Sequence, residues 1–143
     1  EIRKDGYWYI LKNEGNQIWY NYCTFFYDNG TIFGGISIED SNLSQKENEF
    51  QNGTFYESEK DCKYCWGRFI INGSTIKFER WYPGEGPLRA YVRKGQIIND
   101  TTFHISEIYR FQNGEKTEVS PTDETYHFKP LTPKPDSTNQ FAK

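Results

Sequence analysis

The 143-residue chain contains no methionine and few aliphatic side chains apart from isoleucine, with four leucines, two valines and two alanines. Its apolar runs are all far shorter than the roughly 18 residues that a membrane-spanning helix requires. The missing methionine predicts that Glu1 is not a translation start and that the chain is a processed or trimmed form, without any signal or lipid-attachment segment that the full protein carries. We therefore expect a mature chain that does not span a membrane and whose processing is compatible with export.

Basic residues are too few and too scattered for a polyanion-binding surface. The chain has 17 Lys and Arg against 20 Asp and Glu, which leaves a net charge of −3. Proteins that bind nucleic acid or an anionic membrane surface concentrate Lys and Arg on one face or in one run. The charge pattern argues against both partners.

Aromatic residues are abundant instead, at 18% of the chain, with 11 Tyr, 11 Phe and 4 Trp. Large rings favour strands, and they can supply the buried area that leucine supplies in a helical protein. A chain of this length fits one domain with a substantial core. The composition therefore indicates a single β domain.

Glycine turns divide the chain at regular intervals. The stretch FYDNGTIFGG places Asn29-Gly30 between two strand-like runs, which is the strongest short-range hairpin signal. Four further turns are predicted at intervals of 19 to 23 residues, at Asn52-Gly53, Asn72-Gly73, Lys94-Gly95 and Asn113-Gly114. About twenty residues accommodate two strands and an opposite turn. The spacing predicts a meander with these turns at one end.

The predicted fold class is all-β, a single antiparallel up-and-down barrel of about eight to ten strands, because closure removes the exposed edges of a long meander. A β-sandwich is the alternative, since periodicity does not report connectivity. A short helix fits only in Ser41–Asn48. We expect one barrel domain over residues 1–130 and an irregular C-terminal tail over 131–143, whose prolines cannot continue a strand.

The Asn29-Gly30-Thr31 triplet is also an N-glycosylation acceptor pattern, which recurs at Asn42, Asn52, Asn72 and Asn99. A Thr or Ser after Asn-Gly is what a turn leading into a strand would use in any case. We interpret Asn29, Asn52 and Asn72 as turn residues, and the opening stretch as a fold signal.

The order of Trp8, FFYDNGTI, WGRFIINGSTIKFERW and GQIINDTTFHI resembles small exported bacterial lipocalin-like β-barrels of the lipoprotein type. The similar elements run from Gly6 to Phe128. The resemblance implies an exported monomer in the periplasm or at the cell surface, with lipid anchoring through a removed N-terminus as one option, and a cavity open at one end. It carries over no binding residues, because these barrels share no fixed binding motif. The family's Gly-x-Trp signature stands here as Gly6-Tyr7-Trp8.

Cys62 and Cys65 form a Cys-x-x-Cys pair. A thioredoxin-like redox site would need this pair at a helix N-terminus, but a strand-like segment follows it. A zinc site would need Cys23, His104 and His127 to converge on the pair, and we expect neither metal nor cofactor. The remaining interpretation is a structural disulfide, either Cys62–Cys65 or a bridge from one of them to Cys23.

Catalytic constellations are weak, so we expect a non-enzymatic protein. His104 and His127 lack a recognisable nucleophile beside them. Glu79 and Glu107 could act as an acid and base only if the fold brought them face to face across a barrel.

Arginines and rings on predicted strands are the better functional lead, because a cavity lined with them would suit an amphipathic ligand with an acidic group. The first hypothesis is a binding protein that holds a small, partly apolar ligand in its barrel. The alternative is a protein–protein interaction or inhibitor domain whose barrel is filled by side chains. The candidate ligand-binding residues are Trp19, Phe25, Arg80, Tyr82, Arg89, Tyr91 and Arg110.

Overall fold

The computed structural model describes residues 1–54, 62–82, 89–139 and 141. It contains eight strands and one α-helix within those ranges. The strands are β1 Gly6–Glu14, β2 Gln17–Phe26, β3 Thr31–Glu39, β4 Trp66–Asn72, β5 Thr75–Tyr82, β6 Arg89–Asn99, β7 Thr102–Gln112 and β8 Glu115–Pro130.

The eight strands form a closed barrel in which each strand pairs antiparallel with its neighbours in the chain. The barrel closes between β1 and β8, where Tyr7 pairs with Lys129 and Trp8 pairs with Phe128. The predicted all-β, up-and-down barrel is therefore confirmed, and the β-sandwich alternative is rejected. Closure leaves no unpaired edge between the first and last strands.

The hairpin turns lie at both ends of the barrel. Turns at 28–30, 73–74 and 100–101 occupy one end, here called the Asn29 end, whereas 15–16 and 113–114 occupy the other, the Asn113 end. The prediction that all the Asn-Gly turns share one end is wrong for Asn113-Gly114. Lys94-Gly95 is not a turn: Gly95 lies inside β6, where a Cβ would overlap the backbone carbonyl of His104. Its missing side chain lets β6 and β7 approach closely.

The helix, α1, spans Leu43–Asn52 and occupies the region where a short helix was expected. It ends at Gly53, whose φ of 82° is the left-handed conformation that commonly terminates helices. Asn52-Gly53 is thus the end of a helix and not a hairpin turn. The sequence also predicts a strand over Thr54–Glu57, which lies outside the described residues except for Thr54. No helix in the described ranges is both long and apolar enough to cross a membrane.

Two hydrophobic clusters lie on opposite faces of the barrel wall. The interior cluster draws on all eight strands and includes Trp8, Phe26, Ile32, Phe78 and Phe103, with other members on β4, β6 and β8. The outer cluster draws only on β1 to β4, together with α1 and the C-terminal tail. Alternation along each strand separates the two clusters.

Helix α1 and the tail cover the outer cluster. The helix contributes Leu43 and Phe50, and its Glu47 accepts a hydrogen bond from Lys129 of β8 at 2.7 Å. The Tyr27 hydroxyl donates to the carbonyl oxygen of Pro135 at 2.6 Å, which anchors the tail. One half of the barrel wall is therefore covered, and it is the half built from the first strands.

Candidate functional site

Aromatic rings fill the barrel interior towards the Asn29 end. Phe103 lies at the centre of this packing, with its ring centroid 4.8 Å from Trp8, 4.7 Å from Tyr126 and 6.0 Å from Phe26. Phe78 joins it at 6.1 Å. All five side chains are buried to 2% exposure or less. Because these rings occupy the space, we refer to them as the aromatic plug.

Above the plug, the interior becomes polar. Inward positions on β5 run Ile76, Phe78, Arg80, and Phe78 pairs with Arg93 of β6. The resulting arginine–tyrosine cluster lies between the plug and the Asn113 end, close enough for its members to influence one another's charge. Its members are Tyr22, Arg80, Arg93, Glu124 and Tyr126.

Arg80 is only 7% exposed, although it carries a positive charge. Its Nη1 atom donates a hydrogen bond to the carbonyl oxygen of Gly34 at 3.3 Å. Burial lowers the pKa of the Arg80 guanidinium to about 10, and the neighbouring charge of Arg93 acts in the same direction. The group remains a cation at neutral pH, in a place where a buried cation is costly unless it is balanced.

Arg93, a second buried arginine, pairs with a carboxylate. Its Nε lies 3.1 Å from Oε1 of Glu124, and the two side chains are 7% and 14% exposed. The guanidinium also lies over the ring of Tyr22, 5.3 Å from its centroid. The described members of the cluster thus include two arginines and one glutamate. An anion is the ligand that this electrostatic arrangement favours.

The hydroxyl of Tyr126 adds an unused polar group to the cluster. It is fully buried and has no hydrogen-bond partner within the described part of the chain. Burial raises the pKa of Tyr126, so that the hydroxyl keeps its proton. A buried hydroxyl without a partner costs free energy that a bound acceptor would restore.

A second polar group lies closer to the Asn113 end. Arg110 lies 3.3 Å from a carboxylate oxygen of Glu118, which also accepts a hydrogen bond from the Tyr91 hydroxyl at 3.3 Å. The Arg110 guanidinium lies 5.8 Å from the centre of the Tyr91 ring. Tyr91 pairs with Arg80 across β5 and β6, so this group and the arginine–tyrosine cluster are adjacent on the inner wall.

The structure brings together three of the seven residues named from the sequence. Arg80, Tyr91 and Arg110 share the inner wall towards the Asn113 end. Trp19 is half-buried beside a groove that contains Lys46 and Glu49 of α1.

Of the remaining three predicted residues, one lies elsewhere and two have side chains that the structure does not describe. Phe25 does not line the interior: its ring packs in the outer cluster, 5.1 Å from Phe50 and 5.8 Å from Tyr7. That expectation is wrong because Phe25 faces away from the inward-facing Thr24 and Phe26 on either side of it. The side chains of Tyr82 and Arg89 lie outside the described part of the structure, although their backbones pair.

Sequence reasoning missed four members of the arginine–tyrosine cluster: Tyr22, Arg93, Glu124 and Tyr126. Arg93 lies two residues after Tyr91 on the same face of β6, a relationship that a predicted turn at Lys94-Gly95 conceals. Tyr22 has a φ of 53° at a bulge in β2, which alternation does not anticipate.

The cysteines and carboxylates do not form a second site in the described ranges. Cys62 and Cys65 form a disulfide across a short 3-10 turn, while Cys23 is free and buried. Burial raises the pKa of the Cys23 thiol to about 12, so it is an unreactive thiol at neutral pH. His104 pairs with Asp123 at 2.6 Å and does not join the cysteines.

The acid–base pair considered from the sequence does not face across the interior. Glu79 pairs with Val92 and Glu107 pairs with Lys94 on the outer face, where Glu107 also contacts Lys116. The two carboxylates therefore do not flank an enclosed space.

No family model, curated protein or solved structure matches this chain. The barrel has the architecture expected of a lipocalin-like protein, but bacterial or lipoprotein status finds no support in these comparisons. The geometry of the interior therefore carries the functional argument.

Proposed function

We propose that this chain is a non-enzymatic binding protein that holds a small, partly apolar anion inside its barrel. The ligand's acidic group lies against the arginine–tyrosine cluster, and its apolar part lies against the rings around that cluster. The observation that carries this proposal is Arg80, a cation that is 7% exposed and lies near a second arginine inside the barrel.

The charge balance supports an anionic ligand over a neutral one. The carboxylate of Glu124 pairs with Arg93 at 3.1 Å, and Arg80 places a second buried guanidinium group nearby. A carboxylate, sulfonate or phosphate would meet the guanidinium group of Arg80 and the hydroxyl of Tyr126 without a new desolvation cost on the protein side.

The aromatic plug sets where the ligand lies. It fills the interior towards the Asn29 end with side chains that are 2% exposed or less. The proposed ligand therefore occupies only the part of the barrel towards the Asn113 end, and it is small. Burial of its rings or short alkyl groups against Tyr22 and Tyr91 supplies the apolar contribution.

An oxidising compartment is part of the same proposal. The Cys62–Cys65 disulfide is of a kind that persists in exported proteins and is rare in reducing ones. It supports export, without indicating whether the chain carries a lipid anchor.

The test compares two probes that share the same rings. Anilinonaphthalene sulfonate carries an acidic group and N-phenylnaphthylamine does not, and the fluorescence of both increases in apolar surroundings. We expect the folded protein to bind the sulfonate at least about tenfold more tightly than the neutral amine, which corresponds to about 1.4 kcal/mol.

Two arginine variants make the comparison specific. Arg80→Met should abolish the preference for the sulfonate, whereas Arg68→Met, on the exposed outer wall, changes the net charge equally and should leave it intact. Circular dichroism and urea titration establish that each variant is folded before binding is compared. Equal affinity for both probes, or an unchanged preference in Arg80→Met, would refute the proposal. If the preference for the sulfonate is confirmed, native mass spectrometry of protein from its own source would identify a retained ligand.

The aromatic plug and an outer groove favour a second candidate, a protein–protein interaction domain. Ile70 and Phe111 are 63% and 59% exposed, and they flank a groove of about 210 Å³ that also contacts Val92 and Tyr109. This candidate predicts that neither probe enters the barrel. It also predicts that a polar substitution of Ile70 weakens association with a partner without altering the fold.

A further inference from the structure

Five Asn-x-Ser/Thr triplets occur in this chain, at Asn29, Asn42, Asn52, Asn72 and Asn99. Random placement of the 11 asparagines and 19 hydroxyl residues would give about 1.5 of them. All five asparagines are exposed in the fold. Turn chemistry explains the triplets at Asn29 and Asn72, which form hairpin turns. Asn52 instead ends α1, and Asn99 precedes the 100–101 turn without a glycine after it.

A hydroxyl residue is not required by the turns themselves. The hairpin at Asn113-Gly114 continues with Glu115 and turns equally well. A hairpin turn alone therefore does not require the Ser or Thr two positions after asparagine.

Asn52 and Asn99 share one local geometry. In the first, Oδ1 accepts hydrogen bonds from the backbone N–H and the hydroxyl of Thr54, at 2.9 and 2.7 Å. In the second, Oδ1 accepts the same two bonds from Thr101, both at 3.0 Å. The amide oxygen is thus held by its own triplet. The Nδ2 atom of each exposed side chain makes no hydrogen bond with the described residues.

From this arrangement we propose that Asn52 and Asn99 are N-glycosylation acceptor sites. The donor is a lipid-linked oligosaccharide diphosphate, and the reaction is carried out by a transferase of a secretory compartment. A bond forms between Nδ2 and C1 of the first sugar, and the C1–O bond to the diphosphate breaks, with the electron pair leaving on the lipid diphosphate. Nδ2 gives up one proton to a base of the transferase. No oxidant or reductant takes part.

The remaining triplets differ in ways that provide an internal comparison. Nδ2 of Asn29 donates to the hydroxyl of Ser137 in the tail at 3.1 Å, so a glycan there would displace the tail. The Ser74 hydroxyl bonds to Gln96 and not to Asn72. Asn99 lies at the Asn29 end and Asn52 lies beside the outer wall, so glycans on both leave the Asn113 end open.

The test maps glycans on the full chain, expressed behind a cleavable leader in cultured eukaryotic cells. Peptide-N-glycosidase in heavy-oxygen water converts each glycan-bearing asparagine to labelled aspartate, which distinguishes it from spontaneous deamidation at Asn-Gly. We expect labelled peptides for Asn52 and Asn99, lower occupancy at Asn29, and no label at Asn113. Chain retained in the cells is analysed with the secreted chain, because transfer precedes secretion.

Threonine variants provide the matched controls. Thr54→Val and Thr101→Val each keep the asparagine and should each remove one glycan, seen as one step in gel mobility. If a variant folds poorly, the glycan mapping on the unmodified sequence still tests the proposal. Unlabelled Asn52 and Asn99 peptides, in cells that glycosylate a reporter protein, would overturn the proposal. The assay uses no barrel ligand, so its result is independent of the proposed binding function.

Discussion

Gly35 and Arg80 fit together because residue 35 has no side chain. A Cβ at this position would overlap the Nη1 atom of Arg80, and Gly35 has a φ of +86°, which L side chains rarely adopt. The glycine therefore does two things at once: it permits a left-handed backbone in β3, and it leaves room inside the barrel for a guanidinium group. The position of Arg80 depends on a residue two strands away in the barrel order.

Replacing Gly35 should destabilise the fold by more than its backbone conformation explains. We expect Gly35→Ala to lower the free energy of unfolding by about 3 kcal/mol, the sum of left-handed strain and overpacking against Arg80. Gly73→Ala is the matched control, because Gly73 has a φ of +63° and a Cβ at that position would meet nothing within 4 Å. It should lose only about 1 kcal/mol in urea denaturation. Equal losses would show that Arg80 imposes no constraint on Gly35.

Arg93 and Glu124 should be strongly coupled. Glu124→Leu leaves a buried cation without its carboxylate and should cost about 3–5 kcal/mol, whereas the double variant with Arg93→Met should recover much of that loss. Lys12 and Glu14 provide the control, since their N–O distance is also 3.1 Å but both side chains are more than half exposed. A double-mutant cycle there should give less than about 1 kcal/mol. Additive losses for Arg93 and Glu124 would contradict the assigned pair.

The spacing of the turns predicted the barrel, but alternation along the strands did not predict the full composition of its interior. On β5, Ile76, Phe78 and Arg80 follow a strict two-residue period, and the sequence assigns them to one face. On β2, Tyr20 packs in the outer cluster while Tyr22, two residues later, packs with the interior cluster. The bulge at Tyr22 reverses which side of β2 faces the interior, and the residue types there do not predict a bulge. The sequence can therefore identify regular strands, whereas a site built at a bulge requires the structure.

Stability should fall between pH 9 and 10 because of Cys23. Burial raises the pKa of its thiol from 9.0 to about 12, so the folded state keeps this proton after the unfolded state has lost it. The unfolded state then binds fewer protons, and the free energy of unfolding decreases as the pH rises. Cys62 and Cys65 are in a disulfide and do not titrate.

The matching variant is Cys23→Ala. The quantity compared is the change in the free energy of unfolding with pH, not the free energy of unfolding itself. Its free energy of unfolding should change less between pH 9 and 10 than that of the unmodified chain. Above pH 10, the raised pKa values of Tyr7 and Tyr126 destabilise the fold further, while the lowered pKa of Arg80 acts in the opposite sense. Identical slopes from pH 9 to 10 would exclude Cys23 as the titrating group.

Loss of the disulfide should have a modest effect on stability. The bridge closes a loop of only a few residues, and the chain-entropy model assigns about 2 kcal/mol to a loop of this size. We expect the Cys62→Ala, Cys65→Ala variant to retain the circular dichroism of the barrel and to unfold at a lower urea concentration. A loss of the barrel signal would mean that the bridge is needed for closure.

Half of the barrel wall is shared between two cores and half is not. On β1 to β4, an outward side chain such as Phe25 or Phe33 packs beneath α1 or the tail, while its inward neighbours pack in the interior. On β5 to β8, the outward Glu79 is exposed, and the outward Val92 and Tyr109 are buried without belonging to either core cluster. The two halves should therefore differ in how freely their outward positions can change during evolution. Outward positions on the second half can change without repacking a core cluster. Outward positions on the first half are restricted to residues that fit the outer cluster.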